Sequence, residues 1–191
     1  MRMQRVHIIL LLALAGGCAG SASKPVEYMD DRTAITIGAL QEPIELVPTS
    51  RETGRHVFGK HVSFGYLGPV EWDRSGSLVY ALWVHIAPGN EREITDIRSP
   101  GALTLVLDSG SLVLSPTDAP QLGTVAYKPI ASWGQTSYFQ LTVPILKQIA
   151  ASEKLYLDVR DAAGQNERFD TTQDTRAIFS DYLQARGITG D

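Results

Sequence analysis

Beyond residue 32 apolar and polar positions alternate with a period of two over most of the chain, the pattern of half-buried strands. "TAITIGAL" (33–40) alternates larger apolar with smaller residues, and "PIELVP" (43–48) is a second short strand between two prolines. Val62, Phe64 and Tyr66 alternate next, and "GPVEWDRSG" (68–76) reads as a turn with a short strand. Residues 78–86 break the pattern. Leu78, Tyr80, Leu82, Val84 and Ile86 are apolar, and so largely are Val79, Ala81, Trp83 and His85 between them. A strand apolar on both sides lies in the middle of a sheet with material packed on each face. Downstream, "ALTLVLDSGSLVLSP" (102–116) predicts two strands about a turn at Asp108-Ser109-Gly110-Ser111. "TVAYKPIAS" (124–132) and "TSYFQLTV" (136–143) predict further strands. "KLYLDVRD" (154–161) and "ERFD" (167–170) predict a hairpin.

The period changes to that of a helix twice. Near 143–151, Thr142 stands as a cap, Pro144 lies in the first turn, and Ile145, Leu146, Ile149 and Ala150 share one face. Near 174–186, Ile178, Phe179, Tyr182 and Leu183 form the apolar stripe and Gly187 the stop. Eight or nine short strands with two short helices predict a mainly β fold, a β-sandwich or small open barrel. Nothing alternates strand with helix in the manner of a doubly wound sheet.

Upstream of residue 33 neither period holds. The chain opens "MRMQRVHIILLLALAGGCAG", in which Arg2 and Arg5 precede an apolar run, 6–15. That run has the length of a signal-peptide core and about half that of a membrane span. Ala15-Gly16-Gly17 then leads into Cys18, the chain's single cysteine. The sequence resembles the lipobox of bacterial lipoproteins, with Ala15 where Leu is usual. The resemblance implies cleavage before Cys18, acylation of its thiol with palmitate-type chains, and a stable anchor, since two or more chains hold a protein firmly. Ala19 after the cysteine implies an outer-membrane lipoprotein facing the periplasm. The expected organisation is a signal peptide at 1–17, the lipidated Cys18 with a flexible tether to 32, and one periplasmic domain at 33–191. The stretch "AGSASKPVEYMDDR" (19–32), small, polar and charged, motivates the tether.

The net charge of −4, without any cluster of lysine and arginine, excludes nucleic acid as a partner. An acylated Cys18 leaves no thiol for a disulfide or a thiolate metal site.

Tyr28-Met29-Asp30-Asp31 spells the metal-binding hairpin of reverse transcriptases, but a polymerase palm places another aspartate far upstream. These letters instead read as the end of the tether, with the fold beginning near Thr33. "LVLDSGS" resembles the catalytic tip of aspartic proteases, in which Asp108 would share a proton with its mate in a second subunit. The downstream apolar pair and glycine of that family are missing, so a plain hairpin is the favoured reading. His56 and His61, five apart, would face opposite ways on one strand and lack a third ligand. His85, inside the central strand, reads as a hydrogen-bonded core histidine. No nucleophile elbow, phosphate loop or zinc spacing occurs, and no cofactor is expected.

Phe64, Tyr66, Trp72 and Trp83 could line a core or form a recognition surface. Core suits the group; Trp72, between Glu71 and Asp73, is expected to be partly exposed and, with Tyr66, is the candidate contact surface. The blocks "YLGPVE", "LTLVLDSGSLVL" and "LTVPILKQIAASEKLYLDV", with the closing helix, resemble uncharacterised exported lipoproteins of proteobacteria, a resemblance that carries no activity. The expectation is therefore a non-enzymatic binding or structural module of the envelope, its partners the membrane through its anchor and envelope proteins. The alternatives are a dimeric aspartic-type hydrolase using Asp108 and a carrier of a small apolar ligand or lipid.

Overall fold

The computed structural model describes residues 23–49, 63–88 and 94–188. The signal segment, Cys18, His56 and His61 lie outside them. The strands are β1 (Pro25–Asp30), β2 (Ile35–Leu40), β3 (Ile44–Pro48), β4 (Phe64–Arg74), β5 (Ser77–Ala87), β6 (Leu103–Leu107), β7 (Gly110–Val113), β8 (Pro116–Thr117) and β9 (Gln135–Leu141). Helix α1 (Val143–Ala151), strands β10 (Leu155–Arg160) and β11 (Asn166–Thr171), and helix α2 (Thr175–Ala185) complete the chain. All strands belong to one curled sheet, an open half-barrel, in the order β7-β6-β10-β11-β3-β4-β5-β9-β8. The pair β1–β2 branches off β4. The expectation of a mainly β small open barrel with two short helices holds.

Side chains alternate across a strand, so the register assigns each residue to one of two faces. Leu67, Leu82 and Phe139 share a rung region with Leu46, Phe169, Leu157 and Leu105 on one face. All are buried, in one core cluster with the buried faces of α1 and α2. Both helices begin as their sequences predict. The Thr142 hydroxyl accepts from the Ile145 N–H, and the Asp174 carboxylate accepts from the Ala177 N–H. The opposite, outer face divides in two. Over β3, β11 and β10 it carries Glu45, Arg168, Asp158 and Tyr156, exposed or half-buried. Over β1, β2, β4 and β5 it carries Ile35, Ile37, Ala39, Val70, Trp72, Ala81 and Trp83, all buried.

The cover over that second half is residues 123–134, which run across it as a strap without regular structure. The expected strand at 124–132 is therefore corrected. Tyr127 does pack as an inward strand residue would, but its hydroxyl, not its backbone, makes the sheet contact. It donates to the Pro69 carbonyl at 3.0 Å and accepts from the Leu40 N–H at 2.8 Å.

Those two bonds explain a second correction. Residues 68–76 are not a turn but the C-terminal half of an 11-residue β4, with the turn confined to Ser75-Gly76. Both turn residues have positive φ, 53° and 87°, which is the two-residue hairpin geometry that matches strand twist. Pro69 is tolerated because the sheet forks there. β4 pairs with β3 through Leu67 and with β2 from Val70 onward. Counting back by twos from the hydrogen-bonded pair at the turn points the Pro69 nitrogen into the fork, where no partner strand waits. Its carbonyl and the Leu40 N–H are bridged by the Tyr127 hydroxyl. Gly68 leaves the space: a Cβ there would sit 2.5 Å from the tyrosine ring.

The boundary at Thr33 is also corrected. β1 starts at Pro25 and pairs along its length with β2, and the Ser23 hydroxyl already donates to the Glu42 carbonyl. Residues 25–30 alternate too weakly for the sequence pattern to show it; their anchorage is polar.

Candidate functional site

Tyr28 and Asp30 of the Tyr-Met-Asp-Asp stretch point to the outer face and hold the start of the strap. The Tyr28 hydroxyl donates to the Val125 carbonyl. Asp30 is buried, its carboxylate accepting from the Thr33 hydroxyl (2.8 Å) and the N–H groups of Arg32, Thr33 and Thr124. Burial by itself pushes the Asp30 carboxyl up, but bonds from Thr33, Thr124 and Gly123 outweigh it and hold it below the usual carboxylate range. These donors are neutral groups already in place, so the aspartate ties the strap to the β1–β2 turn. Met29 and Asp31 point away from it. Among the described residues no group of three His, Cys, Asp or Glu side chains could hold a metal ion.

On the helix side, Glu27, Gly38, Glu71 and Tyr80 form one rung across β1, β2, β4 and β5. The Arg186 guanidinium of the α2 end lies flat on that rung, within 2.6 Å of where a Gly38 Cβ would be. Arg186 donates to the Glu27 carboxylate and the Val26 carbonyl and stands 4.0 Å from Glu71. Its side chain is 4% exposed, so one buried cation pins the first strand to the last helix. Burial raises the Glu71 carboxyl, against the pull of Arg186, and the same burial together with Glu71 pushes the Tyr80 phenol up to about 12. Arg186 Nε and the Tyr182 hydroxyl are buried without a hydrogen-bond partner among the described residues. The arrangement is a structural clamp.

Asp108 sits at the hairpin tip as expected, between β6 and β7, with its side chain turned back on the chain. Its Oδ2 accepts from the N–H of Glu153 at 2.6 Å, the N–H of Lys154 and the Ser152 hydroxyl. Those bonds, the one from Glu153 first, hold its carboxyl below the ordinary range. The group closes the turn between α1 and β10 onto the β6–β7 hairpin.

His85 is a core histidine. It is fully buried and stacked on Trp83 with ring centroids 5.9 Å apart. Nδ1 lies 2.7 Å from the Thr136 hydroxyl, and Nε2 accepts from the Ala131 N–H of the strap at 3.3 Å. Burial lowers its pKa.

The aromatic residues separate into two sets. Trp83 is in the core. Trp72, expected to be partly exposed, is 4% exposed and packs on Tyr138 at 5.2 Å, which corrects that expectation. Its charged neighbours Glu71 and Asp73 point to the other face of the sheet, and their charge says nothing about the side on which Trp72 lies. Tyr66 and Phe64 remain half-buried on the outer face, edge to face at 5.9 Å. Trp133 of the strap completes the group at 6.3 Å from Phe64 and is 52% exposed. Ile130, 54% exposed, precedes it on the same loop. These three rings form a ledge where the strapped half of the outer face meets the open polar half bearing Glu45, Arg168 and Asp158. Trp133 was not legible as a site residue, because strand periodicity was the only guide to 124–134 and the segment is not a strand.

No protein-family model, curated protein or solved structure matches the chain.

Proposed function

We propose that the protein is a lipid-anchored, non-enzymatic binding module of the outer membrane, facing the periplasm and recognising envelope proteins. The anchor rests on the lipobox-like stretch ending at Cys18. The binding role rests on one observation, the half-exposed Phe64–Tyr66–Trp133 ledge on the outer face. Exposed aromatics of this kind are enriched among residues that anchor protein interfaces. The aspartates that motif letters single out support this reading, because Asp30 and Asp108 are both occupied in holding backbone. No helix among the described residues is long and apolar enough to cross a membrane.

Two measurements test it. Palmitate label should enter the wild type and not Cys18→Ser; equal incorporation removes the anchor. A photocrosslinking side chain placed at Phe64 or Trp133 in intact cells should give a discrete adduct that the same group at Val113, on the exposed β7 edge, does not. Identical products at all three positions, or none at any, would overturn the binding role.

A further inference from the structure

Between Ile130 and Trp133 the strap is fastened to the sheet by a histidine. Ala131, between the two exposed residues, is buried. Its N–H donates to His85 Nε2 at 3.3 Å, and its carbonyl accepts from the Gly134 N–H at 3.2 Å. Gly134 lies so close over the imidazole that a Cβ there would collide with Cε1 and Nε2. The loop is thus folded on the His85 ring edge, and Trp133 reaches Phe64 from that seat.

An imidazole nitrogen that accepts from a backbone N–H carries a lone pair. The proton of the neutral ring is then on Nδ1, donated to the Thr136 hydroxyl. A second proton can go only to Nε2, which would turn the Ala131 contact into two donors facing each other. Among the described residues the neighbours offer the cation little compensation. The titratable and charged groups on the elements packed against His85 are Tyr66, its cross-strand partner on β4, with Glu45 beyond it on β3; Tyr127 of the strap, which packs on Trp83; and the exposed Lys128 of the strap. β9 contributes Thr136 and Gln135, neither titratable. Glu45 is exposed and lies one strand away.

We propose that His85 is a proton-operated latch on the aromatic ledge: neutral, it seats the Ile130–Trp133 loop; protonated, it releases the loop and disperses the ledge. The proposal gives the regulation of the binding surface proposed above and rests on that reading for its purpose, though not for its test. A periplasmic protein meets whatever pH the exterior imposes, so a surface that dissolves on acidification would free its partner there. Burial lowers the pKa of His85, which places the release on the acid side of an ordinary histidine.

The test needs no partner. In the full chain in detergent, proton and nitrogen NMR between about pH 8 and pH 4 follows the His85 Cε1–H, the Ala131 and Gly134 amides and the Trp133 indole N–H, spanning the ordinary histidine value of about 6.5. The expected result is one shared midpoint below that value, with loss of Ala131 amide protection, while the Trp72 indole and the Leu46 amide stay in place. His85→Gln, whose amide oxygen can accept from Ala131, should keep the loop seated and abolish the response. His85 titrating while Ala131, Gly134 and Trp133 stand still would overturn the latch. So would a loop transition at another midpoint, or a His85 that stays neutral until Leu46 and Trp72 report global unfolding. These outcomes come from the wild type, so they hold even where His85→Gln does not fold. Failure of the crosslinking experiment would remove the binding role and leave a titrating loop.

Discussion

The two halves of the outer face are built from the same sheet and read differently in sequence. Over β10 and β11 the face is open. Leu155, Leu157 and Val159 are buried on the helix side, while Tyr156, Asp158 and Arg168 face outward. Arg168 makes two bonds to Asp158, at 2.7 and 2.8 Å, and lies over the Tyr156 ring. Over β4 and β5 both faces are covered, and Ala81 to Ala87 is buried without a break. A strand with one wet face alternates because water selects every second residue; a strand between two covers has no such selection. The open half needs only the helices. The strapped half needs the tertiary placement of 123–134, and its polar groups (Asp30, His85, the Tyr127 hydroxyl) are the ones that fasten the strap.

The difference can be broken most severely by Trp83→Ala against Arg168→Ala. The first empties a two-sided core and should cost about 3–5 kcal/mol. The second removes an exposed ion pair and ring contact and should cost about 1 kcal/mol or less. Urea unfolding of both variants measures the contrast, and similar losses would show that the open half is no less dependent on its outer face. Tyr127→Phe comes next. It keeps the ring on Gly68 but leaves the Pro69 carbonyl and the Leu40 N–H buried and unbridged, at roughly 1–3 kcal/mol for each such group. The expected total is about 2–6 kcal/mol, with faster hydrogen exchange at Leu40; unchanged exchange would mean that the fork closes by direct pairing.

A smaller, pH-dependent effect separates the halves through His85. Its folded pKa lies below the unfolded value of about 6.5. The unfolded chain therefore binds more protons in between, and stability is full above that pH and lost as pH falls through the folded pKa. His85→Gln should flatten the slope of stability against pH between about 7 and 5; an unchanged slope would assign it to other groups. The smallest effect is expected in the open half. Asp108→Asn should loosen the turn at 152–154, seen as faster exchange of the Glu153 amide, with β5 and β9 unaffected. Faster exchange spreading into β5 would show that the hairpin tip supports the whole sheet.

How far the sequence reached follows the same division. The α2 stripe of Ile178, Phe179, Tyr182 and Leu183 and the α1 cap at Thr142 were legible because helix period and cap chemistry are local. So was the two-sided burial of Ala81 to Ile86, although Leu78 and Val79 at the start of that apolar run are exposed, because the cover does not reach the β4–β5 turn. Trp72 was misjudged because charge on its neighbours reports the opposite face. Residues 68–76 read as a turn with a short strand, whereas β4 runs on through Pro69, whose missing N–H is harmless at a fork that long-range pairing creates. Trp133 stayed hidden because the strap has no period of its own.

By itself, then, the sequence determined both helices with their buried faces, most of the strands and the two-sided character of the second half of β5. Those depend on neighbours within a few residues. Only the tertiary structure decided where the strap lies, that Tyr127 bridges the fork, that Arg186 clamps β1, and that Trp133 joins Phe64 and Tyr66. Each of these joins residues tens of positions apart through a single hydroxyl, guanidinium or ring, and such a contact leaves no repeat along the chain to be read.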